Sequence, residues 1–179
     1  MKADARAILD YWSGLGPAGW FARSDAVDRE IAARFGADWR AVRDCPADEL
    51  VADADTALAH VVLLDQFPRN MFRGTAEAFA TDPLARAVAD LAIARGYDRT
   101  VDPALRLFFY LPFEHSEALT DQDRAVALID TLGDEDYSRF ARAHRDMILR
   151  FGRFPHRNAA LGRADRPGEA EAVAAGGGW

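Results

Sequence analysis

The chain has 179 residues, half of them hydrophobic and 28% charged, the balance of one soluble globular domain. A formal net charge of −7 argues against general affinity for nucleic acid, and no apolar run approaches a membrane span. With Cys45 as its single cysteine the chain has no disulfide framework, and the reducing cytosol is its natural setting.

At the N-terminus, Met1 to Arg6 runs into an amphipathic pattern with no continuous apolar block, so no signal peptide is expected. Ala7, Ile8, Tyr11 and Trp12 lie at helical spacing, and Gly14, Gly16 and Pro17 are expected to end that helix. Trp20-Phe21 follows as an apolar plug in a loop. Ser24 or Asp25 caps a helix with Val27, Ile31 and Phe35 on one face, which Gly36 is expected to stop. A short helix over 38–44 is broken by Cys45-Pro46. From Asp48 to Phe67 the pattern predicts one long helix, almost without a polar face in its second half and therefore central to the fold. Pro68 should end it and Gly74 close the corner.

Thr81-Asp82-Pro83 is a strong helix start, and Leu84, Val88, Leu91 and Ala92 carry that helix to Gly96. Asp102-Pro103 repeats the signal before an apolar helix from Leu105 to Leu111 that Pro112 should end. Thr120 and Asp123 resemble a capping box for a helix through Ile129 to Gly133. Asp134 opens another, through His144 to Gly152, and Pro155 and Pro167 open short pieces beyond it. No segment alternates with period two. The expectation is an all-α protein of eight or more helices, one antiparallel domain over residues 1–179.

Two corners share Phe-Pro, then Arg-Asn, then a glycine four residues after the asparagine: Phe67-Pro68-Arg69-Asn70 with Gly74, and Phe154-Pro155-His156-Arg157-Asn158 with Gly162. Their flanks match poorly, which disfavours an internal duplication. Asp65 lies on an inward face, either as half of an architectural ion pair or as a group that aims Arg69 or Arg157 at a ligand. Gln66, Arg69, Asn70 and Arg73 exceed what capping a helix end needs, and planar guanidinium suits carboxylate and phosphate. Arg153, His156, Arg157 and Asn158 repeat that chemistry where a helical piece begins. Glu114-His115-Ser116-Glu117 follows the second apolar helix. Glu114 and His115 suit acid–base work, and the bland reading has Glu114 and Glu117 pairing with corner arginines. The spacing matches no metal signature, and no cofactor is implied. His60 and His144 read as satisfied core or boundary histidines, and Cys45 as incidental.

The strings LLDQFPRNMFRGTAEAFATD, LRLFFYLPFEHSE and RFGRFPHRNAALGR resemble the bacterial family catalogued as domain of unknown function 924. Tyr11-Trp12, Trp20-Phe21 and the C-terminal Trp179 add to the likeness. The resemblance implies a fold similar to tetratricopeptide-like helical hairpins, without the tetratricopeptide sequence signature. It implies no activity. Asp10-Tyr11-Trp12 stands where relatives often have Phe-Trp-Phe.

The reading is a cytoplasmic helical protein with a semi-buried polar pocket lined by segments 65–73, 114–117 and 153–158. It would bind a small anionic molecule or an acidic peptide terminus, with no nucleic acid and no membrane as partner. The alternatives are a hydrolase using Glu114 or His115, and a purely structural or interaction protein. A docked Trp179, its carboxylate meeting a corner arginine, is a further expectation.

Overall fold

A computed structural model describes residues 4–176, and the expectation for Trp179 lies outside them. The described residues are helical and contain no strand, as the absence of period-two alternation predicts. None of the helices is long and apolar enough to cross a membrane. Contacts cluster into two compact units. One comprises the chain up to Arg73 with Glu77–Pro112, the other Gly74–Ala76 with the chain from Phe113 onward.

In the first unit α1 (Ala5–Trp20) does not stop at its glycines but bends at Gly16, whose φ of 62° admits the turn. The bend carries Trp20 into the helix instead of a loop, and its indole N–H donates to Trp12 O at 2.7 Å. α2 (Asp25–Val42), capped by Ser24, runs through Gly36 without stopping. Ile31, Phe35, Trp39 and Val42 bury one continuous stripe, and that packing overrides the low helix propensity of a single glycine. Trp12 is the hub of an aromatic core, with Phe67 and Phe108 edge-on at 5.6 and 5.4 Å.

The expected long helix over 48–67 begins later and ends later than the pattern suggests. A short turn, Ala47–Leu50, precedes α3 (Ala54–Val61), which Asp53 caps by accepting from Thr56 N at 2.8 Å. Pro68 does not end the helix. The chain widens into a π-turn over Val62–Gln66, where Phe67 N–H donates to Val62 O, and continues as α4 (Phe67–Met71). Pro68 has no N–H to give Leu64 O, four residues back. That carbonyl instead accepts the Thr81 hydroxyl at 2.6 Å, and Thr81 Oγ1 accepts the Trp39 indole N–H at 3.2 Å. Thr81 precedes α5 (Asp82–Ala94), so one side chain ties three helices around the proline. α6 (Leu107–Glu114) likewise continues past Pro112, and the boundary between the units falls inside it.

In the second unit α7 (Leu119–Asp130) and α8 (Glu135–Phe151) form an antiparallel hairpin, registered by the ion pairs Asp130–Arg142 and Asp123–Arg145. Thr120 does not cap α7. Ser116 Oγ does the nearby work, accepting from Ala118 N at 3.2 Å while donating to Asp121 at 2.6 Å. α9 (Glu169–Ala174) follows the turn Pro155–Arg157.

The relay around Pro68 makes Thr81 a sensitive position. Thr81→Val keeps the shape but strands Leu64 O and the Trp39 N–H. We expect a loss of about 2–4 kcal/mol in urea unfolding, largely recovered in Thr81→Ser.

Candidate functional site

Each unit holds a network built on polar residues singled out in the sequence. In the first, Asp65 is wholly buried. Gln66 Nε2 donates to its Oδ2 at 2.6 Å, and Arg69 Nη1 lies 3.5 Å from its Oδ1. Arg69 pairs with the Asp82 carboxylate through two parallel bonds of 2.8 and 3.0 Å, and donates to Asp65 O at 2.5 Å as well. Burial works against the Arg69 charge, but Asp65 and Asp82 outweigh it and hold the guanidinium more firmly protonated than usual. Arg73 is paired in the same bidentate way with Asp28, at 2.8 and 2.9 Å, and Asn70 Nδ2 donates to the same carboxylate at 2.8 Å. Burial tends to raise Asp28, yet the hydrogen bonds from Arg73 and Asn70 leave it below the usual aspartate range.

The second unit brings 114–117 and 153–158 together. Glu117 accepts Arg163 Nη1 and Nη2 at 2.8 and 3.0 Å and Phe154 N at 2.8 Å. Those bonds override burial and lower its pKa. Arg163 Nε reaches Asn158 Oδ1, and Asn158 Nδ2 donates to Asp165 and to Glu169 at 2.8 and 2.9 Å. Glu169, fully buried, takes both arms of Arg153 at 2.8 and 2.7 Å. The Arg153 hydrogen bonds, helped by Arg166 N and Asn158, hold Glu169 down to about 2 against the opposing effect of burial.

Next to this lattice lies a different kind of cluster. Glu114 and His144 are both buried, and Glu114 Oε1 sits 3.0 Å from His144 Nδ1. The same Nδ1 is 2.9 Å from Phe140 O, one helical turn back on α8. The His115 ring lies 6.5 Å from that of His144. His144 meets Phe154 edge-on with ring centroids 5.6 Å apart, and the His156 ring lies 5.6 Å from the same phenylalanine. The Arg157 guanidinium sits 4.5 Å from the Phe154 centroid. Two of the chain's four histidines, His144 and His156, thus meet Phe154 together with Arg157, and His115 lies beside His144. The described residues include no group of three or more His, Cys, Asp or Glu that could hold a metal ion.

Sequence reasoning singled out both corners, Glu114–Glu117 and Asp65 as a partner of Arg69, but not the other partners. Asp28 and Asp82 answer Arg73 and Arg69, while Arg163 and Glu169 answer Glu117 and Arg153. Asp28 lies 45 residues from Arg73, a distance at which no local pattern signals a pair. Gln122 and His144 did leave a signal, each being a polar residue on the buried stripe of its helix. His144 is satisfied, as expected of a core histidine, and its partner is a carboxylate of the motif.

The model of a family described as "Bacterial protein of unknown function (DUF924)" matches residues 8–177. A solved structure of ATU0120, a protein of unknown function from Agrobacterium tumefaciens, is similar at 46% identity with a TM-score of 0.91. It covers 96% of this chain and 97% of its own. No curated protein matches.

The two networks give two expectations for stability. Arg69→Met removes the guanidinium that faces Asp65 and Asp82 and should cost about 3–5 kcal/mol in chemical unfolding. Arg73→Met, at a more exposed pair, should cost about 1 kcal/mol or less. For the second unit, the depressed Glu169 contributes stability that is present above the usual glutamate range and lost as pH falls toward about 2. Glu169→Gln should be less stable at neutral pH and should show a flatter acid limb when unfolding midpoints are measured down the pH scale.

Proposed function

The chain belongs to the DUF924 family of bacterial proteins of unknown function, and on that premise we propose that it binds a small anionic ligand, or the acidic terminus of a peptide, in its second unit. The observation that carries this reading is the gathering of His144, His156 and Arg157 about Phe154, with His115 beside His144. Imidazole and guanidinium N–H groups donate and do so best to carboxylate or phosphate oxygens. Glu117 is answered by Arg163 and Glu169 by Arg153, so of the nearby acids it is Glu114, on His144 Nδ1, with which an anion would compete. His115 and His156 are half-buried, which suits contact with a ligand arriving from solvent.

The expected contribution of Arg69, Arg73 and Arg153 is different. Each is held bidentate by an internal carboxylate, so these side chains support the corners' geometry in this reading. A second reading, hydrolysis, is favoured by the Glu114–His144 contact. A carboxylate on Nδ1 orients an imidazole for proton transfer, which would make His144 the acid–base group and Glu114 its orienter.

The test is a thermal-shift screen of phosphorylated and carboxylated metabolites, followed by calorimetry on the compounds that stabilise the protein. His156→Ala and Arg157→Lys should each weaken binding at least about tenfold, whereas Arg73→Met should leave affinity unchanged. Affinity that survives both changes in the second unit, or that is lost in Arg73→Met, would overturn the reading. So would a screen in which no anion stabilises the protein.

A further inference from the structure

We propose that Glu117 is an internal stand-in for a ligand: the donors it occupies form a carboxylate-binding site, and an external carboxylate takes its place. The site lies in the same unit as the imidazoles but does not depend on them. An anion on His144 would meet Glu114, whereas one on Arg163 displaces Glu117, so either site can exist without the other.

The donors are a planar fork and one backbone amide. Arg163 Nη1 donates to Glu117 Oε2 at 2.8 Å and Nη2 to Oε1 at 3.0 Å, while Phe154 N–H donates to Oε1 at 2.8 Å. Two parallel guanidinium bonds match the shape of a carboxylate. Burial works against the Glu117 charge, and the bonds from Arg163 and Phe154 N, with the charges of Arg163 and Arg157, outweigh it.

These donors stay aimed when the acid leaves. Arg163 is held from behind, its Nε donating to Asn158 Oδ1 and its Nη2 to Phe154 O, each at 3.0 Å. Asn158 is buried and is itself fixed by Asp165 and Glu169. Phe154 is wholly buried, so its N–H keeps its direction. In the hairpin pairs Asp130–Arg142 and Asp123–Arg145, by contrast, the guanidinium bonds only to acids among the described residues. Donors fixed before a ligand arrives lose little freedom when it binds.

The acid is the movable half. Glu117 lies in the connection between α6 and α7, and its side chain is 30% exposed, against 0% for Glu169 on Arg153 and 10% for Asp82 on Arg69. A pair that solvent reaches adds little to stability, and rotation of one side chain opens it. Freeing Arg153 or Arg69 would instead require a buried carboxylate to move. Occupation by Glu117 also masks the site, because measured affinity is reduced to the fraction of molecules in which Glu117 has left.

Calorimetry on the full chain with propionate, the glutamate side chain cut free, tests this. Glu117→Ala should bind propionate at least about tenfold more tightly than the unmodified protein, and adding Arg163→Met should abolish the gain. Glu117→Gln, close in size and uncharged, should gain in the same direction and covers the case in which the alanine variant does not fold. In unmodified protein, carbon-13 NMR should show the Glu117 carboxylate signal moving with the Phe154 amide as propionate is added. Equal or weaker binding in the folded Glu117 variants overturns the proposal. So does a gain that survives Arg163→Met, or a Glu117 signal that stays still across the titration. A blocked Ala-Glu-Ala peptide run in parallel separates a peptide source from a small acid, and preference for either supports the site. Propionate binding in Glu117→Ala with silent histidines would remove the imidazole reading and leave this one, and the reverse result would remove this one alone.

Discussion

At each Phe-Pro corner a guanidinium lies against a carboxylate that water hardly reaches: Arg69 on Asp82, with Asp65 behind it, and Arg153 on Glu169. A charge removed from solvent must be matched by charge and by hydrogen bonds, and the matching here is bidentate. The requirement explains why acids distant in sequence converge on each corner. It also limits what the corners can do. A guanidinium whose donors already serve two carboxylate oxygens holds an acidic ligand only by giving up its internal partner.

Backbone accounting has the same character. Pro68 and Pro112 remove helical donors without ending their helices, and side chains serve backbone carbonyls near both. Thr81 serves Leu64 O beside the first proline. Beside the second, Gln122 serves Glu114 O and Ser116 O at the end of the same helix. In both places a polar residue on an otherwise apolar face holds a bent helix end, and a group of chemical interest stands next to it: Asp65 in one case, Glu114 in the other.

How much of this was legible in the sequence depended on the range of the interaction concerned. Helix starts were readable where the cap is local, as at Ser24 and Asp134, which accept from backbone N–H groups two or three residues on, whereas the Asp53 cap lay inside the helix expected from Asp48. Stops were less readable, since Gly36 and Pro68 lose to packing of Phe35, Trp39 and Phe67 that only the folded chain supplies. The corner arginines were visible as an excess of polar groups. Their partners were not, because Asp28 and Asp82 sit on other helices. The histidine cluster was half visible: His115 and His156 belong to motifs, while His144 looks like an ordinary core residue until Glu114 is placed against its Nδ1.

In the proposed reading Arg69, Arg73 and Arg153 act as fasteners within their own units, and His115, His144, His156 and Arg157 are the groups that meet the ligand. Side-chain NMR during titration with a stabilising anion tests this division most directly, following all histidine rings and arginine Nε–H groups in one sample. The account predicts movement of the His115, His144, His156 and Arg157 signals while those of Arg69, Arg73 and Arg153 stay fixed. Movement of the fastener arginines with silent histidines would contradict it.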